Sequence, residues 1–172
     1  MTDAPFSDRA TDDVQHPDAI GVGPLDPATE RQVAVDLFNH VWRLLDIADR
    51  TPEQDDAMVH AAHASRWHWG QVGGAEQRAV GEWQCSRVYA VLGRPVEALH
   101  HAQRCLDLST VEGVDPFVAA SAHEALARAY AIAGDLDAAV AERNAAYAIA
   151  VDLDDDDDRG VIESDLGSLP LP

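Results

Sequence analysis

The 172-residue sequence contains no lysine: all 12 basic residues are arginine, set against 31 acidic ones, for a formal net charge of −19. A surface so poor in positive charge repels phosphate, which argues against nucleic acid and anionic membrane as direct partners. Cysteine is scarce too. Cys85 and Cys105 fit neither a disulfide framework nor a zinc pattern, and read as buried, reduced thiols. Aromatics reach only 6% of a chain that is 47% hydrophobic, with abundant alanine. That balance suits closely packed helices better than a β-sandwich. No run approaches the ~18 apolar residues of a membrane span. The acidic start, MTDAPFSDRATDD, lacks an apolar signal segment, so a cytoplasmic location is expected. Catalytic signatures are missing as well. HExxH is absent, GVG at 21–23 follows no strand that could make it a phosphate loop, and no serine or cysteine stands in a nucleophile motif. No cofactor is expected.

What is present is acid, alanine and punctuation for helices. Aspartate outnumbers glutamate and ends in DDDDD at 154–158. Such a composition fits a chain working in concentrated salt, where screening shrinks to ~3 Å at 1 M; a GC-rich genome would bias composition the same way. Residues 1–26 carry Pro, Gly and Asp without periodicity, the pattern of a disordered acidic tail. Asp26-Pro27 then caps a first helix with the stripe Val33, Leu37, His40, Leu44, Ile47. Thr51-Pro52-Glu53-Gln54 is a capping box that opens a second helix, stopped at Gly73-Gly74. A third helix runs from about Ala75 to Leu92 and breaks at Gly93-Arg94-Pro95. The fourth ends near Gly113, Asp115-Pro116 caps the fifth, and a sixth follows Gly134-Asp135 to about Leu153. These define one helical domain over 27–153. Residues 154–172 read as an acidic linker with a short capping helix (Val161, Ile162, Leu166) and a tail. The expected fold class is all-α: about six helices plus a short C-terminal one.

The helices also repeat. CSRVYAVLGRPVEALHHAQRCL at 85–106 aligns without gaps on LARAYAIAGDLDAAVAERNAAY at 126–147, pairing Tyr89 with Tyr130, Gly93 with Gly134 and Ala98 with Ala139. Small residues Ser86 and Ala127 let paired helices approach, tyrosine fills the gap, glycine permits the turn, and alanine seats the second helix. This spacing resembles the tetratricopeptide repeat, although the offset is 41 residues and not ~34. The resemblance implies antiparallel hairpins stacked as a short α-solenoid that binds other proteins. It would place Trp83, Arg87, Glu124 and Arg128 on the concave face. Two stacked arginines beside a tryptophan suit a carboxylate-bearing peptide. An internal Glu124–Arg128 pair at i, i+4 is the competing reading.

The run HAAHASRWHWG at 60–70 raises a second possibility. Asp56, His60, His63 and Trp67 share one helical stripe, and counting outward from each turn sets most histidines at one height. Glu97-x-x-His100 is half of the motif used by carboxylate di-iron bundles. The corresponding expectation is a metal-binding helical protein, with hydrolysis as its candidate chemistry, that uses His60, His63, His100 and Glu97. The alternative is packing, with the alanines letting neighbouring helices close around Trp67 and Trp69. The sequence favours a protein- or peptide-binding adaptor over an enzyme, with homo-oligomerisation open to it.

Overall fold

A computed structural model describes residues 25–171, so the tail expected over 1–26 lies outside the described residues except for Leu25 and Asp26. Among the described residues there are seven helices and no strand: α1 (Pro27–Leu45), α2 (Pro52–Val72), α3 (Ala75–Val91), α4 (Pro95–Ser109), α5 (Pro116–Ala133), α6 (Leu136–Ala150) and α7 (Asp156–Gly167). None is long and apolar enough to cross a membrane.

Local chemistry explains where most helices begin. Asp26, Thr51, Asp115, Asp135 and Asp155 each accept a hydrogen bond from a first-turn backbone N–H, satisfying donors that the helix itself leaves unpaired. The capping box at Thr51 is complete: its hydroxyl accepts from the Gln54 N–H, and the Gln54 amide oxygen accepts from the Thr51 N–H. The aspartate run is therefore the start of a helix more than a linker. Asp155 caps α7, and Asp156, Asp157 and Asp158 occupy its first turn, where the helix dipole favours negative charge.

Consecutive helices pair as the hairpins α1–α2, α3–α4 and α5–α6, and each hairpin packs on the next. The two repeats turn identically. Gly93 and Gly134 adopt φ of 67° and 83°, a left-handed conformation that costs glycine least. The next residue then closes a Schellman motif: Arg94 N–H donates to the Tyr89 carbonyl at 2.9 Å, and Asp135 N–H to the Tyr130 carbonyl at 3.0 Å. Ala98 and Ala139 are fully buried just beyond. At Ser86 smallness is only half the reason, because its hydroxyl donates to the Ala98 carbonyl at 2.9 Å.

Two helices end earlier than their sequence suggests. α4 stops at Ser109 and not near Gly113; the hydroxyls of Ser109 and Thr110 donate to the carbonyls of Leu106 and Asp107, each at 2.8 Å, at the point where the helix ends. Gly113, at φ 85°, then redirects the chain into α5. α6 stops at Ala150 and not at Leu153, which is buried with Ala120, Ala150 and Ile162 under α7.

Alanine sets the interhelical distances. α2 contributes Met58, Ala61 and Ala62 to a cluster with Val41 and Leu44 of α1 and Cys85 and Val88 of α3. Between α2 and α3 the approach is closer still: a Cβ added at Gly81 would stand 2.7 Å from Arg66 Cδ, so only glycine fits there without displacement. The first helices of the hairpins, α1, α3 and α5, touch one another in sequence order, and α7 lies against α5 and α6.

Candidate functional site on the face of the first helices

Side chains from α1, α3, α5 and α7 enclose an apolar cavity of about 190 Å³. Its walls are aromatic: Phe38 and Trp42 from α1, Trp83 from α3 and Phe117 from α5. The Trp42 and Trp83 rings sit 5.6 Å apart at 40°, and Phe38 meets Trp42 edge-on at 6.3 Å. Val161 and Asp165 of α7 complete the lining. Phe38 and Val80 also wall a neighbouring apolar pocket of about 140 Å³ that includes Val35 and Trp69. Cys105 reaches the larger cavity, but burial, reinforced by the charges of Glu82 and Glu124, pushes its thiol up to about 12. It is a neutral, unreactive wall. Both cysteines are free and buried.

The four residues expected on this face do converge, and Glu124 is their centre. Its buried carboxylate accepts from Trp83 Nε1 at 3.2 Å, Arg87 Nη1 at 3.2 Å and Arg128 Nε at 2.8 Å. Neither arginine is left open for a partner's carboxylate. Arg87 Nη2 donates to Asp165 Oδ1 at 3.0 Å; Arg128 Nη2 donates to the Asp165 carbonyl at 3.0 Å and to Ser168 Oγ at 2.8 Å. The internal pairing of Glu124 with Arg128 holds, and α7 supplies the acid expected of a partner. A signal for this was present in the sequence. Continuing the 41-residue offset from Trp83 to Glu124 arrives at Asp165, so α7 stands where the first helix of a further repeat would stand.

A second buried carboxylate organises the other side of α3. Glu82 accepts from Arg66 Nε at 2.8 Å, His101 Nδ1 at 2.7 Å and Arg104 Nε at 2.9 Å. Burial alone would raise its pKa. The hydrogen bonds from His101 and Arg104, with the charge of Arg66, outweigh burial and hold it down to about 2. One repeat later the same positions carry the pair with its residues exchanged: His123 Nδ1 meets Glu142 Oε2, also at 2.7 Å.

The histidines are only partly gathered. The rings of His63 and His100 each lie 5.1 Å from that of His101, in edge-on contact, and His63 Nε2 bonds Tyr89 Oη at 2.7 Å. Glu97 pairs with Arg94 instead of a histidine neighbour. His40 lies beside Arg43, and His60 is exposed. Residues at equal height thus diverge, because each faces a different helix. No group of three or more His, Cys, Asp or Glu among the described residues is placed to hold a metal ion. Asp56, His60 and Trp67 of that stripe point to solvent, since Met58, Ala61, Ala62 and Ser65 take the packing face of α2, while His63 at its edge turns to Tyr89 and His101. Trp67 is 59% exposed, against the expectation that helices close around it. Within HAAHASRWHWG the buried work falls to other residues: Ser65 Oγ donates to the Ala34 carbonyl at 2.8 Å, and His68 Nδ1 meets buried Glu30 at 2.9 Å. No family model, curated protein or solved structure matches the chain.

Proposed function

We propose that this protein is a non-enzymatic, TPR-like helical-repeat adaptor. Its first-helix face binds a peptide or protein segment by taking one bulky apolar side chain into the aromatic cavity. The observation that carries this reading is the cavity itself: about 190 Å³, walled by Phe38, Trp42, Trp83 and Phe117, and bordered by fixed polar groups. Concave apolar pockets with a few oriented polar neighbours are the commonest form of binding site, and an anchor in such a pocket supplies a disproportionate share of affinity. The Glu124 network favours the same use. It fixes Trp83 by its indole N–H, so the aromatic wall is pre-organised before a partner arrives. A carboxylate-bearing partner would have to displace Asp165 from Arg87, so apolar anchoring is the principal term. The net charge of −19 favours segments carrying basic residues around that anchor.

Selection of a displayed random-peptide library on the full chain tests this reading. The enriched peptides should share one bulky aliphatic or aromatic residue. Their binding should be lost in Val161→Trp, which directs an indole into the cavity from an exposed position on α7. An absence of enrichment, or enriched peptides indifferent to that substitution, would overturn the proposal.

A further inference from the structure

The outer face of α6 carries an exposed apolar stripe. Leu136, Val140, Tyr147 and the C-cap residue Val151 are between 36% and 54% exposed. At 3.6 residues per turn they fall within an arc of roughly 60° and form one stripe. Repeat register shows what such a stripe is for. Forty-one residues earlier, Leu99 and Leu106 occupy the positions of Val140 and Tyr147, and there they pack against a buried cluster that includes Ala125 and Leu126 of α5. α4 thus presents this stripe to α5, the helix that begins the next hairpin. α7 starts in that register but inclines toward Arg87 and Arg128, and it covers only the far end of α6 around Ile149 and Ala150.

Stacking end to end would need an apolar counterpart on α1, the opposite terminal helix. Beyond its first turn, the exposed positions there are Arg31, Gln32, Asp36, Asn39 and Arg43, which are polar. The α6 stripe, however, is complementary to itself. Val140 and Tyr147 lie equally far from the point midway between residues 143 and 144, as do Leu136 and Val151. Turned antiparallel about that point, one α6 brings its Val140 level with Tyr147 of another and its Leu136 level with Val151. Near the centre stand Arg143 and Asn144, already joined by an Nη2–Oδ1 hydrogen bond of 3.2 Å. We infer that two copies of this chain associate through an antiparallel, two-fold contact between their α6 helices, as isologous dimers do. None of the four stripe residues lines the aromatic cavity, so both cavities of the pair stay open.

Charge opposes the association, since each copy carries −19, and salt should relieve this repulsion. The test is sedimentation equilibrium of the full chain in low and molar potassium chloride. The wild type should reach twice the chain mass of 18.5 kDa, more readily at high salt. Val140→Lys and Tyr147→Glu, each at an exposed position, should weaken the dimer by more than about tenfold while leaving the circular dichroism melt unchanged. An equimolar mixture of those two variants should recover it, because the register sets the introduced lysine against the introduced glutamate. Mixing Val140→Lys with Leu136→Glu should not. A wild type that stays at single-chain mass in both salts would overturn the inference. So would single variants that remain dimeric, or recovery that ignores which pair is mixed.

Discussion

Glu82 and Glu124 are buried acids on successive first helices, and each collects three donors, yet the two networks differ in what survives without the carboxylate. Arg66 and Arg104 make no other side-chain hydrogen bond among the described residues, so Glu82 is the sole partner of both. Around Glu124 the arginines are held twice. Arg87 also reaches Asp165, and Arg128 also reaches the Asp165 carbonyl and Ser168. The first network ties α2, α3 and α4 with one knot. The second is distributed over α3, α5 and α7 beside a cavity, where a side chain can be disturbed without orphaning a charge. A buried acid with a single set of dependents serves the fold, whereas one with redundant partners holds a surface in shape.

The largest effect should therefore come from Glu82→Gln, which leaves the mostly buried Arg66 without its counter-charge. A loss of about 3–5 kcal/mol in urea-induced unfolding is expected. The pH dependence gives an independent check. The folded pKa of about 2 lies below the ordinary glutamate value of 4.5, so this contribution is fully present above about 4.5 and disappears as pH falls toward 2. At ~1.4 kcal/mol per unit the amount is about 3 kcal/mol. The stability gap between wild type and Glu82→Gln should close over that window; a gap that persists at pH 2 would place the effect in packing instead.

Glu124→Gln should cost less, about 1–3 kcal/mol, because both guanidinium groups retain partners on α7. Redundancy makes a sharper test possible. Combined with Asp165→Asn the loss should exceed the sum of the two single losses, since only the double variant strips Arg87 of every carboxylate. Strict additivity in a double-mutant cycle would mean the two acids act independently.

The smallest effect belongs to His63→Ala, at about 0.5–1.5 kcal/mol, the loss of one hydrogen bond to Tyr89 at an exposed imidazole. Its pKa is lowered, first by desolvation and then by the neighbouring His101 charge. The unfolded chain therefore binds the proton more readily. Wild-type stability should fall as pH drops through about 6.5, and His63→Ala should flatten that slope. An unchanged slope would show that His63 does not titrate against the fold.

Sequence alone determined the helices, their pairing and their repeat, because those rest on signals that act within a few residues. Aspartate and threonine caps, the Gly93 and Gly134 turns and the buried Ala98 and Ala139 lie where their spacing places them. Helix ends at Ser109 and Ala150 were harder to read, since hydroxyl-to-carbonyl bonds and burial of Leu153 decided them. Trp83, Arg87, Glu124 and Arg128 could be named from the resemblance to the tetratricopeptide repeat together with the 41-residue register, which sets Trp83 level with Glu124 and, one turn on, Arg87 level with Arg128. What they bond to could not. Whether Arg87 meets a partner's acid or Asp165 depends on where α7 comes to rest, 78 residues further along the chain. The histidines show the same boundary. Helical rise sets their height, but only the packing of α2 by Met58, Ala61 and Ala62 decides that His60 and Trp67 face water while His101 turns inward to Glu82. Height along a helix is a property of the chain; direction around it acquires meaning only when neighbouring helices choose a face.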